Sequence, residues 1–273
     1  MKRVSALLVA AILAVAACRA EPAGVTVGSA RPAVVPARTS AIVPAAVTPA
    51  TARVESPSAL DSPEIASAPL LLRVPRAPHA IVPSTRFDVP TWGSAVSTHT
   101  LLDEHGNGAV PVSEARFLWR DGFLYLLFYA GDLDLQIHAT RRDGPVWKDD
   151  SFTLAFFGPD EKARLITVSA TGVVADGICP RTATSLGDVA CDLRWTSGIR
   201  AAADWDGTIN KLGDFDEEWN IQAAIPLRAL SSAPLAAGAS IEFALTRCEI
   251  AYDGRRACGA WGSRAKPAEL VLD

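Results

Sequence analysis

Ala115-Arg-Phe-Leu-Trp119, Phe123-Leu-Tyr-Leu-Leu-Phe-Tyr129 and Gly144-Pro-Val-Trp-Lys-Asp-Asp-Ser-Phe-Thr-Leu-Ala-Phe-Phe157 are the runs that decide the fold of this chain. In the first, Ala115, Phe117 and Trp119 alternate with Arg116 and Leu118, the period of a half-buried strand. Asp121-Gly122 then joins it to the second run, and glycine supplies the positive φ that a tight hairpin turn requires. The second run is apolar on both sides, with Leu124, Leu126 and Phe128 against Phe123, Tyr125 and Leu127, so it reads as a central strand covered on both faces. After a polar connection carrying Asp132 and Asp134, Trp147 stands at the mouth of a third strand, residues 151–157, beside Asp149 and Asp150. A large aromatic in that position is a candidate ligand platform.

Outward from these runs the pattern repeats. An opening strand is expected over residues 86–92, followed by a turn-rich loop at 103–108. Strands at 164–169 and 173–176 are parted by Thr171-Gly172, and residues 196–204 and 219–225 read as a hairpin pair. Residues 241–248 alternate again, and 269–272 can close the sheet. Many short strands with no sustained helical period imply an all-β domain over residues 79–273, an antiparallel β-sandwich of jelly-roll type.

What precedes the domain reads differently. Met1-Lys2-Arg3 is a basic start and residues 6–17 an apolar run too short to span a bilayer comfortably, which makes residues 1–17 a signal peptide. Val15-Ala16-Ala17-Cys18 resembles a lipobox, in which cleavage precedes the cysteine and its thiol is lipidated; an ordinary secretory cleavage near Ala20 is the plainer alternative. Arg19 is not the aspartate that retains some lipoproteins at the inner membrane, so the expected location is the bacterial envelope, as an outer-membrane lipoprotein held through its acyl chains alone. Residues 18–78 are rich in alanine, valine and proline, with Pro22, Pro32, Pro36, Pro44 and Pro49 among the breaks. Each proline removes a backbone donor and fixes φ, so a disordered, extended tether is expected there, with a short strand conceivable at 70–74.

Export accounts for the cysteines. Of five, Cys18 belongs to the lipobox and four remain, which in an oxidising compartment imply two disulfides with three connectivities. Sequence neighbours are the economical choice, Cys179 with Cys191 and Cys248 with Cys258; the second pair is symmetric about Asp253, as a three-residue hairpin loop would require. Zinc is disfavoured, because no Cys-x-x-Cys spacing or nearby histidine is present. The net charge of −4 and scattered Lys and Arg give no footprint for nucleic acid.

The order of the central runs, with Asp132-Leu-Asp134, Trp147-Lys-Asp-Asp-Ser-Phe-Thr-Leu-Ala-Phe156 and the later Asp216-Glu-Glu-Trp-Asn-Ile-Gln-Ala-Ala-Ile-Pro-Leu227, resembles the family 9 carbohydrate-binding modules over the last two-thirds of the chain. The resemblance implies a β-sandwich that binds a glycan or oligosaccharide, in proteins that commonly take part in polysaccharide breakdown. It puts Trp147 where the family stacks a sugar on tryptophan and leaves Trp261 as the only available second wall, although Trp261 also suits a core position. Two departures stand out. Thr153, six residues after Trp147, takes the place of a glutamate, and Thr167 that of an arginine on the next strand. Asp149, Asp150, Arg164 and Arg264 are then the candidates for gripping hydroxyls.

Catalytic signatures are missing from the sequence: no Gly-x-Ser-x-Gly elbow, no His-Glu-x-x-His helix and no phosphate-binding glycine loop. Binding without catalysis is the expectation, and an envelope interaction protein using the same sandwich the alternative. Trp92, Trp119, Trp205 and Trp219 read as structural. Asp132, Asp134, Asp149, Asp150, Asp214, Asp216, Glu217 and Glu218 could offer oxygens to a structural calcium ion, but none has the spacing of an EF-hand loop.

Overall fold

The computed structural model describes residues 70–86, 89–109, 111–213 and 216–273. The expected signal peptide, Cys18, the tether up to residue 69 and Asp214 lie outside the described residues.

The strands run β1 (Leu71–Val74), β2 (Val96–Ser97), β3 (Ser113–Arg120), β4 (Phe123–Gly131), β5 (Ser151–Phe157), β6 (Lys162–Ser169), β7 (Val174–Pro180), β8 (Arg200–Asp206), β9 (Glu218–Pro226), β10 (Ser240–Ile250), β11 (Arg256–Trp261) and β12 (Ala268–Leu272). One sheet has the order β2-β3-β4-β9-β8. The other has the order β1-β12-β10-β5-β6-β7, with β11 pairing the far half of β10. All neighbours are antiparallel except β1 and β12. β3 and β4 are joined as the sequence implies: Asp121 and Gly122 both have positive φ, 50° and 83°, the geometry of a tight hairpin.

The core lies between the sheets. Phe128 of one stacks on Phe152 of the other at 4.6 Å, and Trp219 closes on Phe128 at 5.1 Å, so one aromatic cluster ties the two layers together. Each sheet also carries a smaller apolar cluster on its outer face. On the five-stranded sheet Trp92, Leu118 and Tyr125 form it, which is why β4 is apolar on both sides. On the larger sheet it contains Val146, Phe157, Leu165, Ala183 and Leu186.

Three expectations need correction. The sandwich begins before residue 79, because Leu71–Val74 pairs with β12 and buries Leu72 and Val74. That alternation of leucine and valine outweighs the prolines on either side. The expected opening strand is instead a short helix, Val89–Gly93, and Pro90 falls in its first turn, where no backbone donor is needed. Trp205, expected to be structural, is 40% exposed on the edge strand β8. Both disulfides join sequence neighbours, Cys179 to Cys191 and Cys248 to Cys258. The second sits across the β10–β11 hairpin, whose loop Tyr252-Asp253-Gly254 turns at Gly254, φ 80°.

Candidate functional site

Alternation along the strands decides what the outer face of the larger sheet offers. Ile241, Phe243 and Leu245 of β10 point into the core, so Ala244, Thr246 and Cys248 point out. On β5 the outward set is Ser151, Thr153, Ala155 and Phe157. These residues floor a groove of about 340 Å³. One wall is Trp147 with Ala183, Thr184 and Ser185; the other is the loop from Gly262 to Ala265.

Trp147 is held there by its turn. Val146–Lys148 forms a single 3-10 turn after Pro145, with Val146 buried, and packs across β5, β6 and β7. The half-buried indole rests on the outer apolar cluster. Its edge abuts Gly187: a Cβ added there would meet Nε1 of Trp147 at 2.7 Å. Gly187 and the wall residues 183–185 all belong to the loop closed by Cys179–Cys191.

Of the sugar contacts proposed from sequence, Trp147, Trp261, Asp149, Asp150, Arg164 and Arg264, only Trp147 and Arg264 line this groove. Asp149 is buried and accepts the Ala139 amide at 2.8 Å, while its other oxygen lies 3.7 Å from His138 Nδ1. Asp150 accepts the amides of Gln136 and Ile250 at 2.6 and 2.7 Å. These carboxylates are buried, pin the connection after β4 and the end of β10, and do not line the groove. Arg164 is buried against Asp160 at 2.8 Å, its side chain on the core side of β6. Trp261 pairs with Leu245, also on the core side, and its ring lies 5.3 Å from that of Phe243. It lines a separate hollow of about 760 Å³ with Leu102, beyond the wall formed by Ala260, Gly262 and Ser263. The sugar-sandwiching pair Trp147 and Trp261 is therefore not assembled.

A further hollow of about 690 Å³ lies near Arg181 and Glu242. Those two groups are already paired at 2.5 Å, and Arg181 covers the ring of Phe157 at 4.7 Å. The Trp147 groove combines a half-buried indole with hydroxyl-bearing side chains, Ser151, Thr153, Thr184, Ser185 and Thr246 among them.

Asp132, Asp150 and Glu249 are the described carboxylates grouped closely enough to hold a cation, with ligand oxygens within 4.8 Å of one another. The guanidinium of Arg247 already serves that purpose: it donates to Asp132 at 3.0 Å and to Glu249. The donor set thus fits an arginine-centred cluster rather than a calcium cage. Burial raises the Asp150 carboxyl to about 9, helped by the charge of Asp132, and burial likewise raises Glu249 to about 7 against the pull of Arg247. Groups whose folded pKa is raised stabilise fully below their unfolded values, and that contribution is lost as pH rises through about 7 and then about 9. We expect the Tm to fall from about pH 5 to pH 9 and Glu249→Gln to flatten the first part of the fall. A profile that rises over this range would mean that these carboxyls ionise normally.

No protein-family model matches the sequence, and no curated protein does. Solved structures do. A protein from Bacteroides uniformis ATCC 8492 with a proposed carbohydrate-binding role superposes with a TM-score of 0.54, at 11% identity, over 75% of this chain and 99% of its own. A family 9 carbohydrate-binding module from Caldicellulosiruptor kristjanssonii matches in its complex with cellotriose, with a TM-score of 0.50 and 14% identity over 74% of this chain and 93% of its own. Its glucose complex gives 0.50 and 15%, over 74% and 95%. The fold is that of the family 9 carbohydrate-binding modules.

On the family 9 fold, the two departures noted in the sequence become neighbours. Thr153 and Thr167 face one another in register on β5 and β6 and share a hydrogen bond of 2.9 Å between their hydroxyls. A neutral pair thus stands where the resemblance implies a glutamate and an arginine. Thr246, Arg256 and Ser185 also line the groove, and none of them was singled out from sequence.

Proposed function

We propose that this chain is a non-catalytic glycan-binding module of an exported lipoprotein, linked to polysaccharide breakdown, in which a sugar ring lies on the indole of Trp147. The observation that carries this reading is the half-buried Trp147 ring walling a groove whose floor presents hydroxyls from Ser151, Thr153 and Thr246. Pyranose C–H groups pack on an aromatic face while short polar side chains fix the hydroxyls. The likeness to carbohydrate-binding modules supports the same reading.

Calorimetric titration of the full chain against neutral and acidic mono- and oligosaccharides tests it. Saturable heat with at least one sugar is expected. Silence across the panel would defeat the reading and favour an envelope interaction protein. Gly187→Val, which thrusts atoms into the Trp147 edge, should weaken that binding about tenfold while costing about 1–3 kcal/mol of stability. Unchanged affinity would mean that the indole position does not matter.

Membrane attachment is assigned to Cys18, with the outer membrane as its site. Labelled palmitate should enter the wild-type protein in cells and be absent from Cys18→Ser, which should fractionate as soluble periplasmic protein. Equal labelling of the two would place the acyl chain elsewhere.

A further inference from the structure

Resting on the glycan reading of this groove, we infer that its ligand carries negative charge: a sugar with an anionic substituent, the carboxylate of a uronic acid or a sulfate ester. The chain is acidic, with a net charge of −4, yet the groove is lined by Arg256 and Arg264 and by no Asp or Glu. Both arginines are exposed, and among the described residues neither has a carboxylate within ion-pair distance.

Their placement is built into the fold. Arg256 starts β11, opposite Ile250, and its Nη2 lies 3.1 Å from Sγ of Cys248, so the guanidinium rests beside the hairpin disulfide at the groove floor. Arg264 stands on the wall loop opposite Trp147 and donates Nη1 to the carbonyl of Thr182, beside the other wall. That bond fixes the guanidinium at the groove and uses one of its five donors. A planar fork with free N–H groups matches the two oxygens of a carboxylate or sulfate, and such charge-assisted bonds are roughly twice as strong as neutral ones.

The neutral Thr153–Thr167 pair fits the same assignment. It puts no charge of its own on the floor, so Arg256 and Arg264 are the charged groups that line the groove. What remains is an aromatic face for the ring, hydroxyls for its hydroxyls and two cations for its charge.

The test is calorimetric titration of the full chain with tri-galacturonate and with glucuronate-containing oligosaccharides, each beside its methyl ester, and with a sulfated and a desulfated galactan oligosaccharide. We expect the charged forms to bind at least tenfold tighter than their uncharged counterparts, the uronate and sulfate arms showing which anion is taken. Arg256→Ala or Arg264→Ala should cost about 10- to 100-fold with the Tm nearly unchanged, since both side chains are exposed. Equal binding of charged and uncharged forms, or indifference to both arginine variants, would overturn charge recognition and leave the glycan reading standing. Silence of every sugar, neutral ones included, would overturn both.

Discussion

Trp147→Ala should weaken oligosaccharide binding by at least about 30-fold, the loss of about 2 kcal/mol typical of an aromatic anchor at the centre of a site. The ring is the one tryptophan among the residues lining the groove: Trp261 turns to Phe243, and Phe157 on the floor is buried beneath Arg181. Sugar stacking therefore has a single platform to lose. The variant should still fold cooperatively. Its indole rests on a small outer cluster and not on the inter-sheet core, so the stability cost should be about 1–2 kcal/mol. Trp147→Phe, keeping an aromatic face, should recover much of the affinity. Titration of both variants with the tightest sugar, alongside their unfolding curves, checks this; full affinity in the alanine variant would remove Trp147 from the site.

The double variant Cys179→Ala/Cys191→Ala should lose about 2–3 kcal/mol of stability, a fall in Tm of roughly 4–12 °C, together with most of the sugar affinity. The disulfide closes the loop that carries the wall residues 183–185 and Gly187, the abutment of the indole. Cys248→Ala/Cys258→Ala is the informative contrast. It removes a bridge of similar span, yet β10 and β11 stay registered by their own ladder from Leu245–Trp261 to Ile250–Arg256. Stability should fall by a comparable amount and affinity much less. Equal affinity losses in the two would show that the stapled loop has no special part in the groove.

β3 and β5 were legible from their period of two, and β4 from its continuous apolar run after the Asp121-Gly122 turn. β1 was legible as a short apolar strand at 70–74, but its place in the sandwich was not, because its partner β12 lies far along the chain and leaves no local trace. The misplacement of Trp261 could have been avoided. Ile241, Phe243 and Leu245 fix the inward parity of β10, so Thr246 and Cys248 face outward, and the cross-strand disulfide puts Cys258 outward too. Trp261, three residues on, must then face the core. The same parity points to Thr246 and Arg256 as groove residues. Asp149 and Asp150 could not be judged this way. Whether a carboxylate meets solvent or a backbone amide depends on how the connection after β4 folds back, and its sequence has no regular period.

The parallel pairing of β1 with β12 also sets how the domain bears mechanical load. Whatever is attached upstream of Leu70 pulls on the sandwich through β1, whose residues from Leu71 to Val74 lie in register with those from Glu269 to Leu272. A pull along the strand axis shears that whole ladder at once instead of peeling it bond by bond, and the exposed Arg73–Asp273 pair at 2.9 Å adds little to it. From β12 the stress passes directly into β10, whose outer face floors the groove. The start of the domain and the groove floor are thus separated by two strand junctions, β1 to β12 and β12 to β10.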